Sequence, residues 1–134
     1  RRLAPTGRFF ARALAESPVQ AGEPNPVEDG HSDALTIDDY LIERPSQTVL
    51  IRVKGDSMQD AGILEGDLVV VEKTAAAKRG DIVVAIVDGQ FTLKRLDVDR
   101  GQFVLKPENK AYPVIRPEGT LEIFGVMVGL VRKV

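Results

Sequence analysis

Asp88-Gly89 stands between two runs that read as β-strands, and this pair constrains the fold more than any other feature of the chain. The run before it, "DIVVAIV", is apolar enough for a buried strand, and the run after it, "FTLKRLDV", is rich in strand formers. An Asp-Gly pair readily adopts the two positive φ angles of a type I′ turn, whose twist suits a hairpin. A strand ending at Val87 should therefore fold straight back along the next. Similar punctuation recurs. "TVLIRVK" alternates Val49, Ile51 and Val53 against Leu50, Arg52 and Lys54, and "DLVVVEK" reads as another buried strand. "DRGQ" makes a second turn into "FVLKP", and "LEIFGVMVGLVRKV" closes the chain with one or two strands. No βαβ alternation, repeat or heptad competes with this pattern, so the fold class is mostly β.

Residues 1–34 are written differently. Prolines at 5, 18, 24 and 26 and glycines at 7, 22 and 30 leave little periodicity, which predicts an extended, accessible N-terminal arm ahead of a β-rich domain over residues 35–134. One stretch departs from this. In "GRFFARALAES", Phe9, Phe10, Ala13 and Leu14 fall at helical spacing, as expected of a short amphipathic helix or an arm lying on a neighbouring surface. Further on, Thr36 with Asp39 three residues later approximates a capping box, and Pro45 should stop the short helix that follows.

Composition narrows the function classes. The chain of 134 residues has no apolar run long enough to span a bilayer, so no membrane association is expected. A net charge of −2 argues against a general nucleic-acid binder. With no cysteine there is no disulfide framework, thiol nucleophile or thiolate metal site, which fits a cytoplasmic location. No secretory signal is legible at the start, and Arg1 is not an initiator methionine.

"VKGDSMQDAGILEGD", Val53 to Asp67, places Ser57 in a glycine-rich loop. A serine hydroxyl needs a base to become a nucleophile. The one histidine, His31, lies in the polar arm, where a solvated loop residue is the expected role; a metal site from His31, Asp29 and Asp33 is the less favoured reading. Lysine is the remaining candidate. At period 2, Lys94 shares a face with Thr92 and Leu96, a setting able to desolvate an amine. Lowering a lysine pKa from about 10.4 to about 7 costs about 4.6 kcal/mol, which full burial can supply. Spacing alone leaves two readings open: a Ser57–Lys94 dyad, or a turn serine and a lysine that snorkels to solvent.

Three motifs, "GDSMQDAGILEGDLVVVEK", "GDIVVAIVDGQFTLKRL" and "LEIFGVMVGLV", together resemble the LexA/UmuD family of self-cleaving proteins, with the UmuD branch the nearer match. The arm "ALAESPVQAGEPNPVED" is similar to the family's segment that holds the scissile bond. The resemblance implies a LexA/signal-peptidase-like fold of twisted antiparallel sheets, Ser57 as nucleophile and Lys94 as general base. It implies cleavage at Ala21-Gly22, with backbone N–H groups of Asp56 and Ser57 forming the oxyanion hole, and no cofactor or metal. UmuD proteins often carry Cys-Gly at the scissile position, whereas LexA-type repressors carry Ala-Gly, as this chain does. The implied setting is the DNA-damage (SOS) response: cleavage promoted by a RecA–single-stranded DNA filament, a homodimer, a UmuC-type polymerase as partner, and no sequence-specific DNA binding. "EIFGVMVGLV" is the candidate dimer interface, against the plainer reading of a core strand. The rivals are the C-terminal half of a LexA-type or phage repressor, a signal peptidase, and a β-rich interaction module with an inert serine. A repressor would carry a helix-turn-helix, which residues 1–34 do not display, and a signal peptidase would need a membrane anchor.

Overall fold

The computed structural model describes residues 10–24, 26 and 30–134. It divides into two units, Arg1–Glu43 and Arg44–Val134, so His31–Leu35 and the helix after it belong with the N-terminal part. In that part, strands β1 (Arg12–Ala15) and β2 (His31–Leu35) pair antiparallel, with Arg12 opposite Leu35 and Ala15 opposite His31. Helix α1 (Ile37–Leu41) follows, and the Asp39 N–H donates to Thr36 Oγ1 at 3.0 Å, which is the cap expected from the sequence. The helix ends at Leu41, ahead of Pro45, which instead opens a 3₁₀ turn over Pro45–Gln47.

Within the described part of "GRFFARALAES", Arg12–Ala15 is a strand and not part of an amphipathic helix. An isolated helix of about eleven residues is marginal in water, and Pro18 stops it from growing. Phe10 and Leu14, two residues of the expected apolar face, are 56% and 49% exposed. Pairing with His31–Leu35 satisfies the backbone instead, and that partner lies too far along the chain for local periodicity to announce it.

The larger unit holds β3 (Thr48–Arg52), β4 (Leu68–Lys73), β5 (Ile82–Val87), β6 (Gln90–Asp99), β7 (Gln102–Lys106) and β8 (Leu121–Val131). They form one antiparallel sheet in the order β3-β4-β8-β5-β6-β7. The mostly β fold of antiparallel sheets is as the sequence predicts. Both hairpin turns are as expected too. Val87 pairs with Gln90 across Asp88 (φ 50°) and Gly89 (φ 79°), and Asp99 pairs with Gln102 across Arg100 and Gly101, likewise at positive φ.

Alternation on β5 explains its unbroken apolar run. Val84 packs into one core with Met58, Ile63, Val69 and Val71, while Val83 and Ala85 on the opposite face join Leu96 and Leu105 in a second. A strand covered on both faces has no position to spare for a polar residue.

The C-terminal segment is a single strand, β8, hydrogen-bonded to β4 on one side and β5 on the other. β4 covers Gly125–Val131 along one edge and β5 covers Leu121–Val126 along the other, so this long strand splices the two halves of the sheet. Gly125 sits where β8 crosses close to β4: an added Cβ would lie 2.6 Å from the Glu72 carbonyl oxygen and 2.7 Å from Val71 Cγ1. Backbone cannot yield as a flexible side chain does, so Gly125→Ala should destabilise the protein by about 1–3 kcal/mol, the usual range for overpacking. Urea unfolding of the variant against the parent checks this; an unchanged midpoint would show that β8 can shift away.

Candidate active site

The loop that carries Ser57 is closed at its base by a ring of backbone bonds. Val53 N–H donates to the Asp67 carbonyl and Gly66 N–H to the Val53 carbonyl, both at 2.9 Å. The buried Asp67 carboxylate accepts from Leu64 N–H and from the Arg132 guanidinium, which together hold its pKa down at about 2. Inside the loop, Gly55 takes a φ of 86°, a region that costs glycine nothing, and its N–H donates to Glu65 Oε1 at 2.8 Å. Met58, 2% exposed, plugs into the core beside Ile63. The residue just before that plug is Ser57, half-buried at the loop's inner rim.

Lys94 comes from β6, where it pairs with Val83. Its place on the same face as Thr92 and Leu96 buries it to 8% exposure. The side chain reaches Ser57 Oγ at 3.0 Å, Thr92 Oγ1 at 2.8 Å and the Leu93 carbonyl at 3.0 Å. All three acceptors are uncharged, so nothing among them offsets the loss of water around an ammonium. Burial accordingly pushes the Lys94 pKa below its ordinary value.

The three contacts also set direction. An ammonium has three N–H donors, which matches three acceptors. A neutral amine keeps two N–H donors and gains a lone pair. With Thr92 Oγ1 and the Leu93 carbonyl taking the two donors, the lone pair is left facing Ser57 Oγ. Such a pair can take a proton from the hydroxyl and return it to a leaving group, which is the chemistry of a serine–lysine peptidase.

Two hollows flank the pair. One, about 220 Å³, is mainly apolar, with Ile51, Val53, Met58, Val84 and Leu93 in its walls. The other, about 340 Å³, lies toward Tyr112, Pro113 and Ile115. Lys54, Gly55, Ser57 and Lys94 line both, so the hydroxyl stands at their junction. The first hollow also continues the line of β3, an edge strand of the sheet.

Ala21 and Gly22 lie in exposed bends between β1 and β2. Asp29 is outside the described residues, as are the side chains of His31 and Asp33. Among the described residues no group of three or more metal-ligating side chains gathers, and no helix is long and apolar enough to cross a membrane.

Sequence reasoning did not single out Thr92 as a partner of Lys94, although the shared strand face pointed to it. It also missed the segment "PENKAY", Pro107–Tyr112, which returns to the serine loop: Glu108 N–H donates to the Ser57 carbonyl at 2.9 Å and Asn109 Nδ2 to the Asp56 carbonyl at 2.9 Å. No periodicity marks such a loop-to-loop contact.

The β-rich fold thus sets a serine hydroxyl beside a buried lysine amine. Residues 13–128 match the Peptidase S24-like family, and the chain belongs to that family, whose members are self-cleaving serine peptidases. Protein SamA of Salmonella typhimurium is 43% identical over 113 residues, covering 84% of this chain and 79% of SamA. Protein ImpA of the same species is 36% identical over 126 residues, covering 92% and 86% respectively. The LexA repressor of Opitutus terrae is 46% identical over 118 residues, covering 86% of this chain and 58% of the repressor.

Proposed function

We propose that the chain is a self-cleaving serine peptidase of the UmuD kind, cut between Ala21 and Gly22. The observation that carries this reading is the 3.0 Å contact between a buried, uncompensated Lys94 amine and Ser57 Oγ. In the proposed reaction neutral Lys94 takes the Ser57 proton as Oγ attacks the Ala21 carbonyl carbon. Negative charge grows on the carbonyl oxygen, and the N–H groups of Asp56 and Ser57 receive it; neither donates to another group among the described residues. Lys94 then passes its proton to the departing Gly22 nitrogen, leaving Ala21 esterified to Ser57. Water, deprotonated by Lys94, releases the ester. An arm rich in proline and glycine suits this role, since a cleaved segment must be extended and accessible. Val19 and Gln20 would add as a strand to the open edge of β3, bringing Ala21 to the serine.

The wider role follows from kinship. SamA and ImpA are UmuD-like, and the matches extend over most of both proteins. On this reading a RecA–single-stranded DNA filament favours the docked arm, and the shortened chain, as a cytoplasmic homodimer, serves a UmuC-type polymerase in copying past lesions. Adding such a filament at neutral pH should speed the cut. An unchanged rate would remove the damage-response role while leaving the hydrolytic one intact. The match to a LexA repressor favours a second reading, in which the chain is the self-cleaving half of a transcriptional repressor. The gene segment upstream of Arg1 separates the two, because only the repressor encodes a DNA-binding helix-turn-helix there.

A further inference from the structure

The segment Glu108–Tyr112 holds the serine loop at four points. Glu108 N–H donates to the Ser57 carbonyl at 2.9 Å, and Asp60 N–H donates back to the Glu108 carbonyl at 2.8 Å. Asn109 Nδ2 donates to the Asp56 carbonyl at 2.9 Å, and Tyr112 Oη donates to Asp56 Oδ1 at 2.5 Å. The same segment is tied to the strand that carries the base. Arg95, next to Lys94 on β6, donates through Nε to Glu108 Oε1 at 2.5 Å. Nucleophile loop and base strand are thus referenced to one short stretch of chain.

Planarity turns one of these bonds into an aiming device. The Asp56 carbonyl and the Ser57 N–H belong to a single rigid trans peptide and point in opposite directions. Fixing the carbonyl therefore fixes where the N–H points. That carbonyl has two donors: Asn109 Nδ2 at 2.9 Å and, from within the loop, Gln59 N–H at the longer distance of 3.2 Å. Asn109 is itself held, because its Oδ1 accepts the Ala111 N–H at 2.9 Å and so fixes which way its amide faces.

We propose that Asn109 is a positioning residue that, by holding the Asp56 carbonyl, aims the Ser57 N–H at the oxyanion formed during cleavage. This rests on Ser57 being the nucleophile. Asn109 touches neither the reacting atoms nor Lys94. It acts through the orientation of one peptide, so its loss should slow bond breaking without changing the pH at which the base becomes available. Tyr112 adds to the same hold through the Asp56 side chain, and that carboxylate raises the Tyr112 pKa above its ordinary value.

Two substitutions separate aiming from folding. Asn109→Asp keeps an oxygen to accept the Ala111 N–H, so the local turn survives, but it no longer donates to Asp56. Asn109→Ala loses both bonds. Two rates are measured from pH 7 to 11 and compared on the alkaline plateau, where a carboxylate's effect on Lys94 no longer matters. The first is self-cleavage. The second is phosphonylation of Ser57 by a fluorophosphonate: the Oγ–P bond forms, the P–F bond breaks, fluoride leaves, and the proton passes through Lys94 to solvent.

Removing an oxyanion donor outright typically costs about 10²–10³ in rate; misdirecting one that is still present should cost about tenfold in both reactions. Both variants should show this drop, Asn109→Asp should melt like the parent, and Asn109→Ala should keep the parent's pH midpoint. Parental rates in Asn109→Asp would overturn the proposal, as would a loss in Asn109→Ala that comes wholly from a shifted midpoint. A parent chain that is phosphonylated but never cuts itself would sink the self-cleavage reading alone, and the phosphonylation rates would still decide the role of Asn109. A parent inert in both reactions overturns the two together.

Discussion

Ser57→Ala should leave the chain full-length under every condition that cuts the parent. Without Oγ there is no atom to form the acyl bond, and removing a serine nucleophile from a working site costs about 10⁴–10⁶ in rate. The fold should survive, because Ser57 is half-buried and its backbone carbonyl, which accepts from Glu108 N–H, is kept. Electrophoresis over several days at pH 10, alongside circular dichroism, reads both properties. Cleavage of a folded Ser57→Ala chain at a rate within tenfold of the parent would assign the nucleophile elsewhere.

Lys94 carries the second large effect, and pH is its signature. Only the neutral amine can act as base, so the rate should rise about tenfold per pH unit while the ammonium dominates and level off once Lys94 is neutral. Burial lowers its pKa, so levelling should come below the ordinary lysine value of 10.5. Lys94→Arg makes the sharper test than Lys94→Ala. It keeps a cation on β6, yet a guanidinium stays protonated throughout the accessible range and cannot take the proton. Cleavage should be lost by about 10⁴-fold in either variant at every pH. If Lys94→Arg cuts at the parental rate, the lysine serves only as a structural cation. A docked arm would further exclude water from the amine, so NMR titration of Lys94 in Ser57→Ala should give a lower pKa with residues 1–21 present than without them. Equal values would mean that the domain alone depresses the base.

The β-hairpins were legible because their information is local. Asp88-Gly89 and Arg100-Gly101 adopt positive φ between runs of strand formers, and no distant partner is needed to recognise that. The face shared by Thr92, Lys94 and Leu96 was equally readable from alternation. Whether Lys94 meets Ser57 is another matter. It depends on the closed loop Val53–Asp67 and the Met58 plug, which spacing does not encode. Non-local pairing also decided the places where expectation failed. "GRFFARALAES" has a helix's pattern, but its Arg12–Ala15 takes a strand's partner. The Asn109 contact joins residues 53 apart in sequence through a side-chain amide, with no local pattern to betray it.

The most direct test of the account is the intact mass of the purified chain after incubation at pH 9–10. Cleavage between Ala21 and Gly22 divides the 134 residues into Arg1–Ala21 and Gly22–Val134, with 21 and 113 residues (134 − 21). The account predicts these two masses, rising together at a rate independent of added peptide substrate. A chain that keeps its full mass, or one cut only at some other bond, would contradict it.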